Sequence, residues 1–137
     1  NKLDNLYIPD YKQGSALSNV GKAIDWNKKE FKPEYKQSVI VASIDSFIEY
    51  YQLKVPNYIK IDVDGLEARI IEGGTKTLSD EKFKSLLIEL NEELDEDMKI
   101  INYLNGLGLK FSSKYQSPTT NDKFKSVYNY IFTKNIL

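Results

Sequence analysis

Strand-like and helical spacings alternate along the middle of the chain. Val39 to Ala42 (VIVA) is a β-branched run, Tyr58 to Val63 (YIKIDV) alternates apolar with polar side chains, and Leu86 to Leu90 (LLIEL) is a compact apolar run; each predicts a strand. Between them the apolar positions fall at helical spacing. Ile44, Phe47, Ile48 and Tyr51 follow Ser43, a residue suited to N-capping, and Pro56 ends that unit. Leu66 to Leu78 predicts a helix with Leu66, Ile70 and Ile71 toward the core, interrupted or terminated at Gly73 and Gly74. Leu94, Met98, Ile101 and Leu104 mark another helix, stopped by Gly106 and Gly108. Toward the N-terminus, Leu3 to Ile8 predicts a short strand, Gly14 to Gly21 reads as a loop, and Ala23 to Tyr35 fits neither period. Leu109 to Ser112 and Val127 to Thr133 predict strands of a hairpin joined across Ser117 to Lys123.

Strand, helix, strand, helix, strand, helix is the pattern of an α/β sheet with parallel neighbours, and the closing pair adds an antiparallel edge. In such sheets ligands gather at the C-terminal ends of the strands. There the sequence departs from a plain core. In YIKIDV, Ile59, Ile61 and Val63 take one face and Tyr58, Lys60 and Asp62 the other, whereas a central parallel strand is usually apolar on both. Lys60 and Asp62 therefore need a partner, a ligand or water; an internal Lys60–Asp62 pair or an edge position would also satisfy them. Asp64-Gly65 reads as a turn, with Asp64 a candidate helix cap. Glu89 sits in the next predicted strand and Asn91 follows on its face, about 4.8 Å away if the strands are neighbours. Asp62, Glu89 and Asn91 thus form a candidate oxygen-ligand site for a divalent cation such as Mg²⁺. A Lys60–Glu89 salt bridge is the structural alternative. KIDVDG is not an EF-hand loop: with Gly65 in register, Lys60 falls where the first Asp belongs and Ile71 where the bidentate Glu belongs.

Composition narrows the chemistry. The 137 residues are a usual size for one domain, and 41% are hydrophobic. There is no Cys and no His, which excludes disulfides, thiolate or imidazole metal sites and Ser-His-Asp catalysis, and leaves acid–base work to Asp, Glu, Lys or Tyr. The net charge is −1 and Arg69 is the sole arginine, which argues against nucleic acid as partner. No apolar run approaches the roughly 20 residues of a membrane span and no signal peptide precedes the first strand, so the expected setting is cytoplasmic. The chain opens on Asn1 without Met and reads as a fragment.

Tyr58 to Gly74 (YIKIDVDGLEARIIEGG), with Thr77-Leu78, LLIEL and the upstream Ser43 to Phe47 (SIDSF), resembles the C-terminal signature of FkbM-like methyltransferases. Lys60, Ile61, Asp62, Val63, Gly65, Glu67 and Glu89 match that family's pattern, Asp64 stands where it usually has Glu, and Asn129 to Phe132 resembles its closing strand. The resemblance covers the chain from Ile40 onward and, weakly, the first forty residues. It implies part of a class I methyltransferase (Rossmann-like) fold, a mostly parallel sheet with an antiparallel last strand, and residues 1–137 as the C-terminal part of that domain. It further implies S-adenosylmethionine as methyl donor and a hydroxyl of a sugar or natural product as acceptor. The family's glycine-rich donor-binding turn has no counterpart here, nor has the acidic residue that holds the donor's ribose. On this reading Asp62 orients or deprotonates the acceptor hydroxyl, directly or through a cation, Glu89 and Asn91 assist, and Lys60 and Asp64 set the local charge. The alternative is a non-catalytic, degenerate methyltransferase-like module for partner binding. A homodimer through an unpaired edge of the YIKIDV strand is expected for either.

Overall fold

The computed structural model describes residues 1–10, 12, 18–118 and 124–134. Seven strands and four helices follow in the order β1 (Lys2–Ile8), β2 (Asn19–Val20), β3 (Tyr35–Val41), α1 (Ile44–Tyr50), β4 (Tyr58–Ile61), α2 (Glu67–Glu72), α3 (Thr75–Ser79), β5 (Ser85–Asn91), α4 (Asp95–Gly106), β6 (Leu109–Tyr115) and β7 (Val127–Lys134). Among these residues no helix is long and apolar enough to cross a membrane.

The strands form two sheets, β2-β1-β3 and β4-β5-β7-β6. In the second, β4 and β5 pair in parallel, Ile61 against Ile88, while β7 runs antiparallel to both β5 and β6. Strands β4, β5 and β6 therefore share a direction and β7 alone opposes it. The expected sheet is corrected in one respect: because the hairpin tucks β7 between β5 and β6, only one of the pairings is parallel. A second correction concerns VIVA. It belongs to β3, which pairs antiparallel with β1 rather than joining the larger sheet. The predicted Gly14 to Gly21 loop lies partly outside the described residues, and Asn19 and Val20 within it pair with Tyr7 and Leu6.

The core lies on one face of the larger sheet. Ile61, Leu86, Ile88, Leu90, Tyr130 and Phe132 pack there against Ile71, Leu78, Ile100 and Leu104 of the helices, with Phe83 and Leu109 completing the cluster. The period-two alternation places Lys60, Glu89 and Asn129 on the opposite face, where Glu89 and Asn129 are register partners.

Local chemistry explains the helix boundaries. The Ser43 hydroxyl accepts from the Ser46 amide at 3.2 Å, the expected cap of α1. Gly73 and Gly74 split the predicted helix into α2 and α3. Asp45 ties α1 to α3: its carboxylate accepts from the Lys76 and Thr77 amides, both at 2.9 Å, and from the Thr77 hydroxyl at 2.7 Å. It thus satisfies orphan donors at the start of α3. Helix α1 buries its predicted apolar face only in part: Ile44 and Ile48 are half-buried, while Phe47 and Tyr51 are exposed, their rings in a tilted contact at 4.8 Å.

Candidate acceptor site at the ends of β4 and β5

The turn that follows β4 is held from upstream. Ala23 to Tyr35, which fits no single period in the sequence, contains a small hairpin closed by an Ile24–Glu30 bridge. The Asp25 carboxylate turns it by accepting from the Asn27 and Lys29 amides, each at 2.9 Å, and Lys28 takes a positive φ of 59°. From that turn Lys28 Nζ donates to the Gly65 carbonyl at 2.6 Å. Buried Asn19 donates to the Asp64 carbonyl at 2.8 Å and to the Ile24 carbonyl at 3.0 Å, joining the hairpin to the turn. Gly65 needs to be glycine, because its φ is +88° and a Cβ there would lie 3.3 Å from Lys28 Nζ and 3.4 Å from the Asp25 carbonyl oxygen.

The sequence-predicted residues divide into two groups. Lys60 and Asp62 pair with each other at 2.7 Å on an exposed face, the internal pairing that the sequence left open; Lys60 does not bridge to Glu89. The Asp62 contact raises the Lys60 pKa. Asp62 and Val63 lie beyond β4, which ends at Ile61. Asp64 is not the cap of α2: Leu66 takes that place without a side-chain hydrogen bond. Glu89 is half-buried, and burial raises its pKa, with the Asp62 and Asp64 charges adding to the effect and Lys60 opposing it. These carboxylates therefore share one field at the strand ends.

Asn91 is 5% exposed and belongs to an inner cleft. Its amide oxygen accepts from the Glu93 amide at 3.1 Å, and its backbone amide donates to the Asp97 carboxylate at 2.8 Å. Its side-chain nitrogen has no partner among the described residues. Trp26, Glu67, Glu89, Asn91 and Asp97 line this cleft of about 20 Å³. Glu67 is 5% exposed; the Gly65 amide lies 3.4 Å from its carboxylate, and its own backbone amide also interacts with it. Burial pushes its pKa up to about 7, Asp97 pushes the same way, and Lys28 opposes. Burial also raises Asp97, against the Asn91 amide bond and Lys28. Sequence reasoning missed Glu67 and Asp97 as site residues, since an acid in the first turn of a helix is usually a solvated dipole partner. The available signal was the G-x-E spacing after the β4 turn, which puts Glu67 back against the sheet. Among the described residues no three acidic side chains converge as a metal-binding group.

The profile described as the Methyltransferase FkbM domain matches residues 2–114. The chain belongs to the FkbM methyltransferase family. The match runs from β1 through most of β6, so the upstream antiparallel sheet, which the sequence resemblance covered only weakly, is part of the FkbM domain. Comparison with curated proteins and with solved structures gave no match.

S-adenosylmethionine, the donor that the FkbM family implies, does not fit the residues present. A cavity of about 480 Å³ lies between β3, α1 and α2, lined by Val41, Ala42, Ile44, Leu66 and Ile70 with Arg69 as its charged group. A sulfonium would meet a like charge there and a ribose diol would find no carboxylate. The strand-to-helix turn after β4 has a single glycine, Gly65, whose open side is occupied by Lys28 and Asp25.

Proposed function

We infer that this chain is the acceptor-binding part of an S-adenosylmethionine-dependent O-methyltransferase that acts on a hydroxyl of a sugar or natural product. The observation that carries the reading is the placement of Asp62 and Asp64 just past parallel β4 and of Glu89 near the end of β5, where open α/β sheets bind ligands. The order β4-β5-β7-β6, with β7 alone reversed, supports a partial class I, Rossmann-like sheet. The ties from Asn19 and Lys28 to the β4 turn support residues 1–137 acting as one unit.

The chain's own groups divide the work. Asp62, steadied by Lys60, faces the acceptor hydroxyl and orients it or takes its proton, and Asp64 and Glu89 set the charge around it. Glu89 is an acceptor whose carboxyl is held by burial more toward the protonated form than a solvated carboxylate is. Two further readings rest on specific observations. A divalent cation such as Mg²⁺ between Asp62, Glu89 and Asn91 would relieve the repulsion at Glu89, but Asp62 lies on the exposed face and Asn91 in the inner cleft, so the direct reading is preferred. The misfit of the methyl donor favours a non-catalytic module.

The test joins these residues to the donor-binding half of an FkbM methyltransferase and measures labelled-methyl transfer to hydroxyl acceptors. Asp62→Asn is expected to lower turnover by about 10²–10⁴ without unfolding the protein. Wild-type turnover in that variant overturns the role of Asp62. Loss of activity on chelation supports the cation version, and survival supports the direct one.

A further inference from the structure

In the upstream hairpin the Asp25 amide donates to the Lys29 carbonyl at 2.9 Å, just inside the Ile24–Glu30 bridge, which leaves Trp26, Asn27 and Lys28 as a three-residue loop. Such loops end on a left-handed residue, and Gly is the usual choice there. Here the position is filled by Lys28, with a φ of 59°. A side chain is disfavoured in that conformation and persists only where its surroundings hold it. The ammonium group supplies the hold: it crosses to the β4 turn and donates to the Gly65 carbonyl at 2.6 Å.

The far end of that contact is the stretch that carries the acids. The pairing of β4 with β5 stops at Ile61, so the sheet does not fix Asp62 and Asp64. The turn beyond it bends at Gly65, whose φ is +88° and whose amide donates to the Val63 carbonyl at 2.9 Å. Two side chains hold its carbonyls, buried Asn19 that of Asp64 at 2.8 Å and Lys28 that of Gly65. The Lys28 ammonium also faces acids of two helices: Glu96 of α4 lies 3.7 Å from it, and its charge opposes the effect of burial on Glu67 of α2 and Asp97 of α4. We propose that Lys28 is a positioning residue of the strand-end site: it occupies a glycine position so that its ammonium group, together with Asn19, fixes the turn on which Asp62 and Asp64 stand.

This rests on the reading of the strand ends as the acceptor site, and its first test needs no methyl donor. Lys28→Gly relaxes the loop and removes the tether in one step. A residue present for the loop alone would make that variant more stable and leave the β4 turn unchanged. Under the proposal, hydrogen exchange in the 137-residue variant is about tenfold or more faster at the Gly65 amide and the Asn19 side-chain amide, as follows from losing a hydrogen bond to a charged donor. Exchange in the β5–β7 ladder stays as in the wild type. Lys28→Arg, which keeps a donor and the charge, is expected to restore most of the protection. Unchanged exchange at both amides, or faster exchange throughout the chain, overturns the proposal. In the chain joined to a donor-binding half, Lys28→Gly is expected to lower turnover about 10²-fold with the donor KM unchanged, the scale of a small misplacement of reacting groups. Full turnover in Lys28→Gly where Asp62→Asn abolishes it would keep the acceptor reading and overturn the role of Lys28. A loosened turn in a joined protein that transfers to no hydroxyl would sink the acceptor reading and leave Lys28 as the group that sets the turn.

Discussion

Glu67→Gln should change the pH dependence of stability in a direction fixed by the burial of that side chain. In the folded chain the Glu67 pKa is raised from its ordinary 4.5 to about 7. The unfolded chain titrates near the ordinary value. Between these values the unfolded state has lost the proton and the folded state has kept it, so stability falls as pH rises across that window and levels off above it. The shift corresponds to roughly 3 kcal/mol. Near pH 5 the neutral acid and the neutral amide have similar shape, and Gln still offers an oxygen to the Gly65 amide, so the variant should match the wild type within about 1 kcal/mol. At pH 8 it should be more stable by roughly 2–3 kcal/mol, since it removes a buried charge beside Asp97. Urea unfolding followed by circular dichroism at both pH values measures this directly. At the usual slope the midpoint of the variant should exceed that of the wild type by roughly 1–2 M at pH 8. An equal difference at the two pH values would mean that Glu67 ionises in the folded state as it does in water, and the argument from burial would fail.

Other consequences follow from single contacts. Calorimetric titration of the 137-residue chain with S-adenosylmethionine should show no binding; micromolar affinity would contradict the misfit of Arg69 and the β4 turn. Asp45→Ala should cost about 1–2 kcal/mol in urea unfolding, because it orphans the Lys76 and Thr77 amides at the start of α3; a loss within about 0.3 kcal/mol would refute its capping role. Burial acts to raise the Asp45 pKa, but the Thr77 hydroxyl, the Thr77 and Lys76 amides and the Lys76 charge outweigh it, so the wild type should lose this contribution as pH falls through the lowered value. Gly65→Ala should destabilise by at least about 1 kcal/mol, since it strains a positive φ and crowds Lys28; an unchanged midpoint would refute that. Finally, β4 lies at the outer end of its sheet, and no strand among the described residues pairs with its other side. Sedimentation at micromolar concentration should therefore show self-association, and a strictly monomeric chain would mean that this edge is protected.

The parts of the fold legible in the sequence are those where local pattern and tertiary need agree. YIKIDV and LLIEL pair in parallel, with Ile59, Ile61, Leu86, Ile88 and Leu90 facing one core, and Gly73 and Gly74 break the intervening helix. Ser43 caps α1 because the cap is made by local geometry. The misreadings share a cause. VIVA has the composition of a central strand, but its pairing with β1 is a long-range choice that no periodicity encodes. The side chain of Ile40 is 85% exposed, opposite Leu3, so apolarity in this strand does not mark a core face. The Trp26 hairpin was unreadable because Lys28 adopts a left-handed conformation usually left to Gly or Asn, stabilised by contact with the distant Gly65 carbonyl. Asp62 and Asp64 just past β4, and Glu89 in β5, were legible as candidates from their places near strand ends. The burial of Glu67, Asp97 and the Asn91 amide was not legible, because three separate elements create it together; for Glu67 the G-x-E spacing was the only hint.

The most direct test of the central claim is methyl transfer by these residues when they are joined to a donor-binding half. With a labelled S-adenosylmethionine and a panel of hydroxylated acceptors, the FkbM chain should direct the methyl group onto an acceptor oxygen, and Asp62→Asn should reduce that transfer by about 10²–10⁴. A joined protein that folds and binds the donor, yet transfers to no hydroxyl, or transfers equally well with Asp62→Asn, would contradict the assignment of the β4 and β5 ends as the acceptor site.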